Sequence, residues 1–262
     1  LGSVLLSSDS SRRNRATAPM VMDLELDGEH DCCYIADLHG YVHRIDFDGT
    51  TNVGNWDTRV LWDSGGDEIT AMPVTAFGEN GEVHVYVGTG AYLEDEDIQS
   101  RDDHRFVCLI DRDDSAEYLA PVDQTDAIHD IAGTDGWYIW LEESPGERVT
   151  EPAVVVAGAV LFTTYVPSSD LCAAGGSSWL YRLDYSNGDV PDDGEDDDWD
   201  GDRVQSLGDG VASRPVVDVV NETVIVQSSD TTIQVEEIGQ TFFHLTVRSW
   251  QENFDYVSMP SD

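Results

Sequence analysis

Short runs of β-branched and aromatic residues recur along this chain, separated by clusters of Gly, Asp, Asn and Ser. Such runs are typical of β-strands, and helical periodicity is nearly absent, so the sequence predicts an all-β protein. The runs fall into about four sets, within residues 18–47, 58–112, 136–189 and 214–250. Repeated sets of about four antiparallel strands are typical of β-propeller blades. We therefore predict a single β-propeller domain, or part of one, over residues 1–262.

An acidic loop with regular spacing precedes the first predicted hairpin. Calcium takes about six to eight oxygen ligands, and a compact loop supplies them from alternate positions. The predicted ligands are Asp23, Glu25, Asp27, Glu29 (through its backbone carbonyl) and Asp31. Gly28 falls at the sixth position of this loop, where the chain must turn sharply. The sequence therefore predicts a Ca²⁺ site, and the alternative is an acidic, solvated turn.

The segment after this loop differs from an EF-hand. Its twelfth position is Tyr34 rather than a bidentate Glu. The residues that follow predict two strands joined by a turn at residues 37–40, rather than a helix. The predicted Ca²⁺ loop therefore leads into a β-hairpin.

The chain is strongly acidic, with 53 Asp and Glu residues against 13 basic residues and a formal net charge of -40. Every basic residue is Arg, and the sequence contains no Lys. A field of this sign repels nucleic acid and anionic membrane surfaces, and it attracts cations. Dense surface Asp without Lys is expected of a protein that stays soluble in high salt, where screening weakens self-repulsion. A calcium-rich extracellular setting is the alternative explanation.

Two acidic segments separate predicted strands, at about residues 93–104 and 187–203. Their charge, and in the second segment its Gly and Pro content, predicts loops. Residues 192–202 offer a possible second calcium site, but their acids lack the regular alternate spacing. We therefore favour a solvated loop there, and the same interpretation for residues 93–104.

Apolar runs such as residues 152–162 are too short to span a membrane, so no membrane span is expected. Leu1 begins directly in what resembles mature chain, so we expect no signal peptide. The four cysteines are Cys32, Cys33, Cys108 and Cys172. They allow three complete pairings, and the sequence does not choose among them. We expect structural disulfides of an exported protein, with buried free thiols as the alternative.

Several stretches match the motifs of one known family in the right order. They include the acidic loop with its hairpin, and the segment VYVGTGAYLEDEDI at residues 85–98. The most specific stretch contains Gly146–Arg148, Phe162–Pro167, Cys172, Gly175, Gly176 and Ser178–Asp184. Closing matches occur at Ser213–Val217 and Arg248–Trp250. On these residues the chain resembles the C-terminal propeller domain of PilC/PilY-type proteins, the tip-associated adhesins of type IV pili.

The resemblance implies a quinoprotein-dehydrogenase-like β-propeller. The family's propeller has roughly seven blades, whereas about four are recognised here. We therefore expect the ring to be completed by a missing N-terminal portion of the same polypeptide or by a companion chain, because an incomplete ring exposes sheet faces and edges. Three positions depart from the family pattern: Glu25 replaces the usual Asp or Asn, and Ile35 and Ala36 replace an Ala-Gly pair.

The resemblance also implies a non-enzymatic, calcium-binding module that acts in pilus assembly, retraction control and adhesion. The expected location is extracellular, at the pilus tip. The expected partners are minor pilins or other tip components, and a ligand on a host or abiotic surface. One alternative is a quinone- and calcium-dependent dehydrogenase-like enzyme, since some of these place adjacent cysteines, as at Cys32 and Cys33, beside the quinone. The other alternative is a scaffold propeller that binds protein partners without calcium control.

Overall fold

A computed structural model describes residues 14–49, 52–113, 117–168, 175–191 and 202–237. Regular structure within them consists of β-strands and two short 3-10 turns, at Val53–Asn55 and Asp95–Ile98. The prediction of an all-β chain is therefore confirmed. No helix in the described ranges is long and apolar enough to cross a membrane.

The strands form four sheets that follow one another along the chain. The first contains, in spatial order, β1 (Met20–Met22), β2 (Cys32–Ala36), β3 (Tyr41–Asp46) and β4 (Asp57–Asp63). The second contains β5 (Val74–Phe77), β6 (Val83–Gly88), β7 (Arg105–Asp111), β9 (Gly136–Trp140) and β8 (Val122–Asp123). The third contains β10 (Val154–Val156), β11 (Ala159–Pro167), β12 (Gly176–Asp184) and β13 (Val204–Asp209). The fourth contains β14 (Val216–Asp218), β15 (Thr223–Gln227) and β16 (Ile233–Glu237).

Neighbouring strands are antiparallel except β8 and β9, which are parallel. Four sheets of three to five strands agree with the four blades predicted from the sequence. Two strands, however, lie in a different sheet from the one predicted. Strand β4 closes the first sheet by pairing with β3, and β9 joins the second sheet by pairing with β7. A strand usually pairs with a neighbour in sequence. Because a long connection precedes each of these two strands, the sequence grouping assigned them to the following blade. The run at residues 241–250, assigned to the fourth set, lies outside the described residues.

Consecutive sheets pack face to face through three hydrophobic clusters. The strand β6 shows how one strand serves two clusters, because side chains alternate between the two faces of a sheet. Val85 packs in the cluster shared with the first sheet, whereas Tyr86 packs in the cluster shared with the third. Across that second interface the rings of Phe106 and Phe162 stack with centroids 3.8 Å apart. This packing of one sheet on the next is the architecture of propeller blades.

The fourth sheet presents an apolar face on the side away from the third. Val216, Ile225 and Val235 are aligned across its three strands, and Val216 and Val235 are each 55% exposed. Their neighbours Val224 and Val226 point the other way and are buried against the third sheet. The four described sheets thus form part of a propeller and do not close a ring.

Candidate metal-binding loop and its surroundings

The predicted metal loop connects β1 to β2 at one end of the first sheet. Backbone hydrogen bonds close its base: the Asp31 N–H donates to the Met22 carbonyl over 2.9 Å, and the Phe47 N–H donates to the Asp31 carbonyl over 2.7 Å. The second bond ties the loop to the end of β3. The conformation of the loop is therefore linked directly to the first hairpin.

Three aspartates at the first, fifth and ninth loop positions shape its backbone. Asp23 accepts the N–H groups of Asp27 and Gly28, over 3.1 and 2.8 Å. Asp31 Oδ2 accepts the Leu24 N–H over 2.5 Å. Asp27 Oδ1 accepts an N–H two residues later, over 2.8 Å. These short-range bonds to the backbone are the local interactions by which Asp stabilises turns.

Gly28 has a φ of +92°, and a Cβ there would meet no atom within 4 Å. The need for glycine therefore comes from the backbone conformation and not from lack of space. This is the sharp turn that the sixth loop position predicted. Glu25 and Glu29, in contrast, are exposed.

The loop supplies only oxygen donors, which is the ligand type that Ca²⁺ prefers. A carboxylate oxygen that accepts one N–H retains a second lone pair for a cation. Within the described residues, however, no three His, Cys, Asp or Glu side chains converge as metal ligands. The donor types therefore suit calcium, and its assignment to Asp23, Glu25, Asp27, Glu29 and Asp31 stays a prediction. Of the second acidic segment at residues 192–202, only Asp202 lies within the described ranges.

The turn after β2 is held by the buried carboxylate of Asp37. It accepts the backbone N–H groups of His39 and Tyr41, each over 3.0 Å, and its other oxygen lies 3.2 Å from His43 Nε2. Gly40, with a φ of +87°, packs so closely on Ser64 that a Cβ would overlap its hydroxyl. These residues of the family-like hairpin motif therefore stabilise the turn.

A buried charge network that the sequence pattern did not reveal joins the first two sheets. Arg44 on β3 binds Asp111 on β7 and also contacts Asp46 and Asp113. Tyr34 donates its hydroxyl to Asp111 over 2.9 Å. Burial alone would raise the pKa of Asp111, but the hydrogen bond and charge of Arg44 outweigh it and lower this pKa. Alternation of polar residues in β3 was the available signal, but it did not identify the partner strand.

The motif Gly146–Arg148 fixes the junction between the second and third sheets. Glu147 is buried and accepts the hydroxyls of Thr164 and Tyr181, over 2.6 and 2.9 Å. Arg148 donates to the carbonyls of Ala91, Asp97 and Ser100, as well as to that of Gly146. The resemblance singled out this motif, and its buried Arg holds the acidic connector at residues 93–104 against the third sheet.

Cys32, Cys33 and Cys108 are free and buried. The expectation of disulfides is therefore wrong for these three, and the alternative of buried thiols describes them. Cys172 lies outside the described residues. Burial raises the pKa of Cys32 to about 12 and that of Cys33 to about 11, so neither is an activated thiolate at neutral pH. The small volume and apolar character of Cys suit these blade cores.

No protein-family model matches this chain. The type IV pilus biogenesis factor PilY1 homolog of Xylella fastidiosa (strain Temecula1) is 27% identical over 204 residues, covering 64% of this chain and 14% of that protein. The type IV pilus biogenesis factor PilY1 of Pseudomonas aeruginosa (strain UCBPP-PA14) is 24% identical over 261 residues, covering 70% of this chain and 22% of that protein. The chain thus spans less than a quarter of the length of either relative.

The fold is similar to the crystal structure of the P. aeruginosa PilY1 C-terminal domain, with a TM-score of 0.63 and 20% sequence identity. The similarity covers 87% of this chain and 62% of that domain. At 20% identity the structural similarity is evidence for the fold alone. It supports the description of the four sheets as propeller blades. The resemblance to the PilC/PilY-type C-terminal propeller is therefore confirmed: the chain is similar to PilY1-type proteins in sequence and in fold.

Proposed function

We propose that this chain is a calcium-responsive propeller module of a type IV pilus biogenesis factor. The similarity to two proteins that are named as such factors is the observation that carries the pilus assignment. Calcium responsiveness is supported separately, by an oxygen-rich loop whose base is bonded to the first hairpin. The module acts in pilus assembly and retraction control, and in attachment to a surface.

Calcium would be held by Asp23, Glu25, Asp27 and Asp31 and by the carbonyl of Glu29. When bound, the ion would neutralise carboxylates that repel one another in a chain of net charge -40. The backbone of Asp31 joins the base of the loop to Met22 of β1 and to Phe47 at the end of β3. Loss of the ion would therefore loosen the contact between the loop and the end of β3. That change is a local switch on the hairpin of the first blade.

The location that fits this function is extracellular, at the pilus tip. The proposed partners are minor pilins or other tip components, and a ligand on a host or abiotic surface. Further blades would come from another part of the polypeptide or from a companion chain, and they would cover the exposed Val216 and Val235 on the fourth sheet. Nucleic acid is not a proposed partner because the net charge repels it.

Deletion and complementation in the organism that encodes the chain test this proposal. Cells lacking the gene are expected to have fewer surface pili by electron microscopy, and the wild-type gene should restore them. An Asp27→Ala gene should restore them less well than an Asp95→Ala gene, which changes an exposed acid outside the loop. Normal piliation in the deletion strain would contradict the pilus role. Equal rescue by both variants would contradict calcium control but would leave the pilus role in place.

A further inference from the structure

A cavity of about 930 Å³ opens at the end of the sheets that carries the β1–β2 loop. Residues of the second sheet line it, together with loop residues next to the first and third sheets, so consecutive blades build it together. We call it the acidic groove and define it by Glu25, Glu79, Glu82, His84, Asp130 and Ile131. Its volume is at the upper end of the range of about 300–1,000 Å³ for ligand pockets.

Four carboxylates stand at the rim of the acidic groove. Within the described residues no arginine forms an ion pair with Glu25, Glu79, Glu82 or Asp130. Asp111, which also lines the cavity, is by contrast fully paired with Arg44 and Arg59. Arg112 also lines the cavity, but its ion pair is with Asp135 and it donates to the Thr134 carbonyl. Acidic groups therefore outnumber basic ones at the rim, where a cationic partner can approach.

His84 adds a second, independent feature to the acidic groove. Its side chain is only 4% exposed, and its Nε2 has no hydrogen-bond partner among the described residues. Tyr86 donates its hydroxyl proton to the Tyr185 carbonyl over 2.7 Å, so the Tyr86 oxygen is left to accept from His84 Nδ1, 3.3 Å away. Burial lowers the pKa of His84, which favours the neutral ring.

A neutral ring with its proton on Nδ1 carries a lone pair on Nε2. Glu82 Oε1 lies 3.7 Å from Nε2, and it too is an acceptor. A buried acceptor without a donor is costly, so this corner of the groove lacks a hydrogen-bond donor. A donor that enters beside Glu82 would serve both groups.

We propose that the acidic groove binds a basic segment of a partner protein, in which an arginine or lysine side chain enters beside Glu82 and His84. A cationic side chain supplies the donors that this corner lacks and the charge that the rim lacks. Leu24 and Ile131 line the same cavity and offer contact to an apolar residue next to the basic one. The rim carboxylates are spread over the β1–β2, β5–β6 and β8–β9 connections, so the arrangement suits an extended ligand with several donors.

Fluorescence anisotropy with a labelled peptide of alternating arginine and leucine tests this proposal. A peptide with glutamate in place of arginine is the control ligand. Glu25 belongs both to the predicted calcium site and to the acidic groove. Titrations are therefore run in chelator, so that the result does not depend on whether the calcium proposal is correct. The salt concentration is the lowest at which the circular dichroism spectrum stays native, because screening weakens exposed charge pairs.

Two variants with equal charge changes separate groove binding from general attraction to an acidic protein. Glu79→Gln with Asp130→Asn alters the rim, and Asp95→Asn with Glu96→Gln alters an exposed turn in another connector. The first pair is expected to weaken binding of the arginine peptide at least fivefold, and the second less than twofold. Equal weakening by both pairs would overturn the proposal. Displacement of the peptide by an equal concentration of spermidine would also overturn it, in favour of small polycations.

Discussion

Arg44 Nη1 lies 2.8 Å from Asp111 Oδ2, and this ion pair joins β3 of the first blade to β7 of the second. The two side chains are 4% and 2% exposed. Tyr34 donates to the same carboxylate oxygen, and Arg59 approaches the other oxygen at 3.3 Å. Each oxygen of Asp111 thus has a partner, as a buried charge requires. The blade interface therefore depends on charge pairing as well as on apolar contact.

Asp111→Ala is expected to destabilise the fold by about 3–5 kcal/mol, because it leaves the buried Arg44 without its main partner. Asp113→Ala is the matched control. Asp113 also contacts Arg44 but is 65% exposed, so its loss should cost about 1 kcal/mol or less. Urea unfolding measures both changes. Equal losses would show that the burial of the pair does not determine its contribution.

Glu147 gives a pH-dependent prediction. Burial raises its pKa above the ordinary value of 4.5, because its hydrogen bonds offset the desolvation only in part. As pH rises through 4.5, the carboxyl ionises in the unfolded chain before it does so in the folded protein. Its contribution to stability is therefore present below pH 4.5 and is lost as pH rises through the folded pKa.

Glu147→Gln should remove this pH dependence. Above pH 4.5 the wild type is expected to lose stability relative to the variant by at most about 1.4 kcal/mol per pH unit, until the folded pKa is passed. Urea unfolding at a series of pH values measures the difference, and Glu117→Gln, at an exposed site, is the control. A wild-type-minus-variant difference that stays constant with pH would contradict the account.

Local spacing predicted much of this structure, whereas pairing between distant segments was harder to predict. The hairpin from Cys32 to Asp46 and the turn at Gly28 followed from strand composition and turn chemistry, and both are present. The membership of β4 and β9 in their sheets was missed because a long connection precedes each. The partner of Arg44 lies 67 residues away in sequence, and spacing carries no information about such a contact.

The candidate sites show the same division. Alternating acids identified the loop from Asp23 to Asp31 as a candidate, since its donors are contiguous in sequence. The acidic groove was not predicted, because its wall residues come from three distant parts of the chain and meet only in the folded protein. The disulfide expectation was wrong for three cysteines because the sequence did not show where they lie in the fold, which places Cys32 and Cys108 in different hydrophobic clusters.

Gly136 begins β9 with a φ of +125°, and a Cβ there would overlap the carbonyl oxygen of Cys108. Gly136→Ala should therefore destabilise the protein by about 2–5 kcal/mol, from backbone strain together with the steric clash. Gly133→Ala is the control, since Gly133 also has a positive φ but open space around it. Its cost should be about 1–2 kcal/mol, from strain alone. Thermal unfolding of both variants measures these losses. A smaller loss of stability for Gly136→Ala than for Gly133→Ala would contradict this explanation.

Thermal unfolding in calcium, in magnesium and in chelator, at one fixed high salt concentration, tests the calcium-responsive module most directly. A ligand that binds only the folded state at about 100 times its Kd adds about 2.7 kcal/mol, which corresponds to roughly 5–10 °C for a chain of this size. We expect a calcium-specific rise in Tm that Asp27→Ala abolishes and Asp95→Ala preserves. An equal Tm in calcium and chelator, or an equal rise with magnesium, would contradict the account.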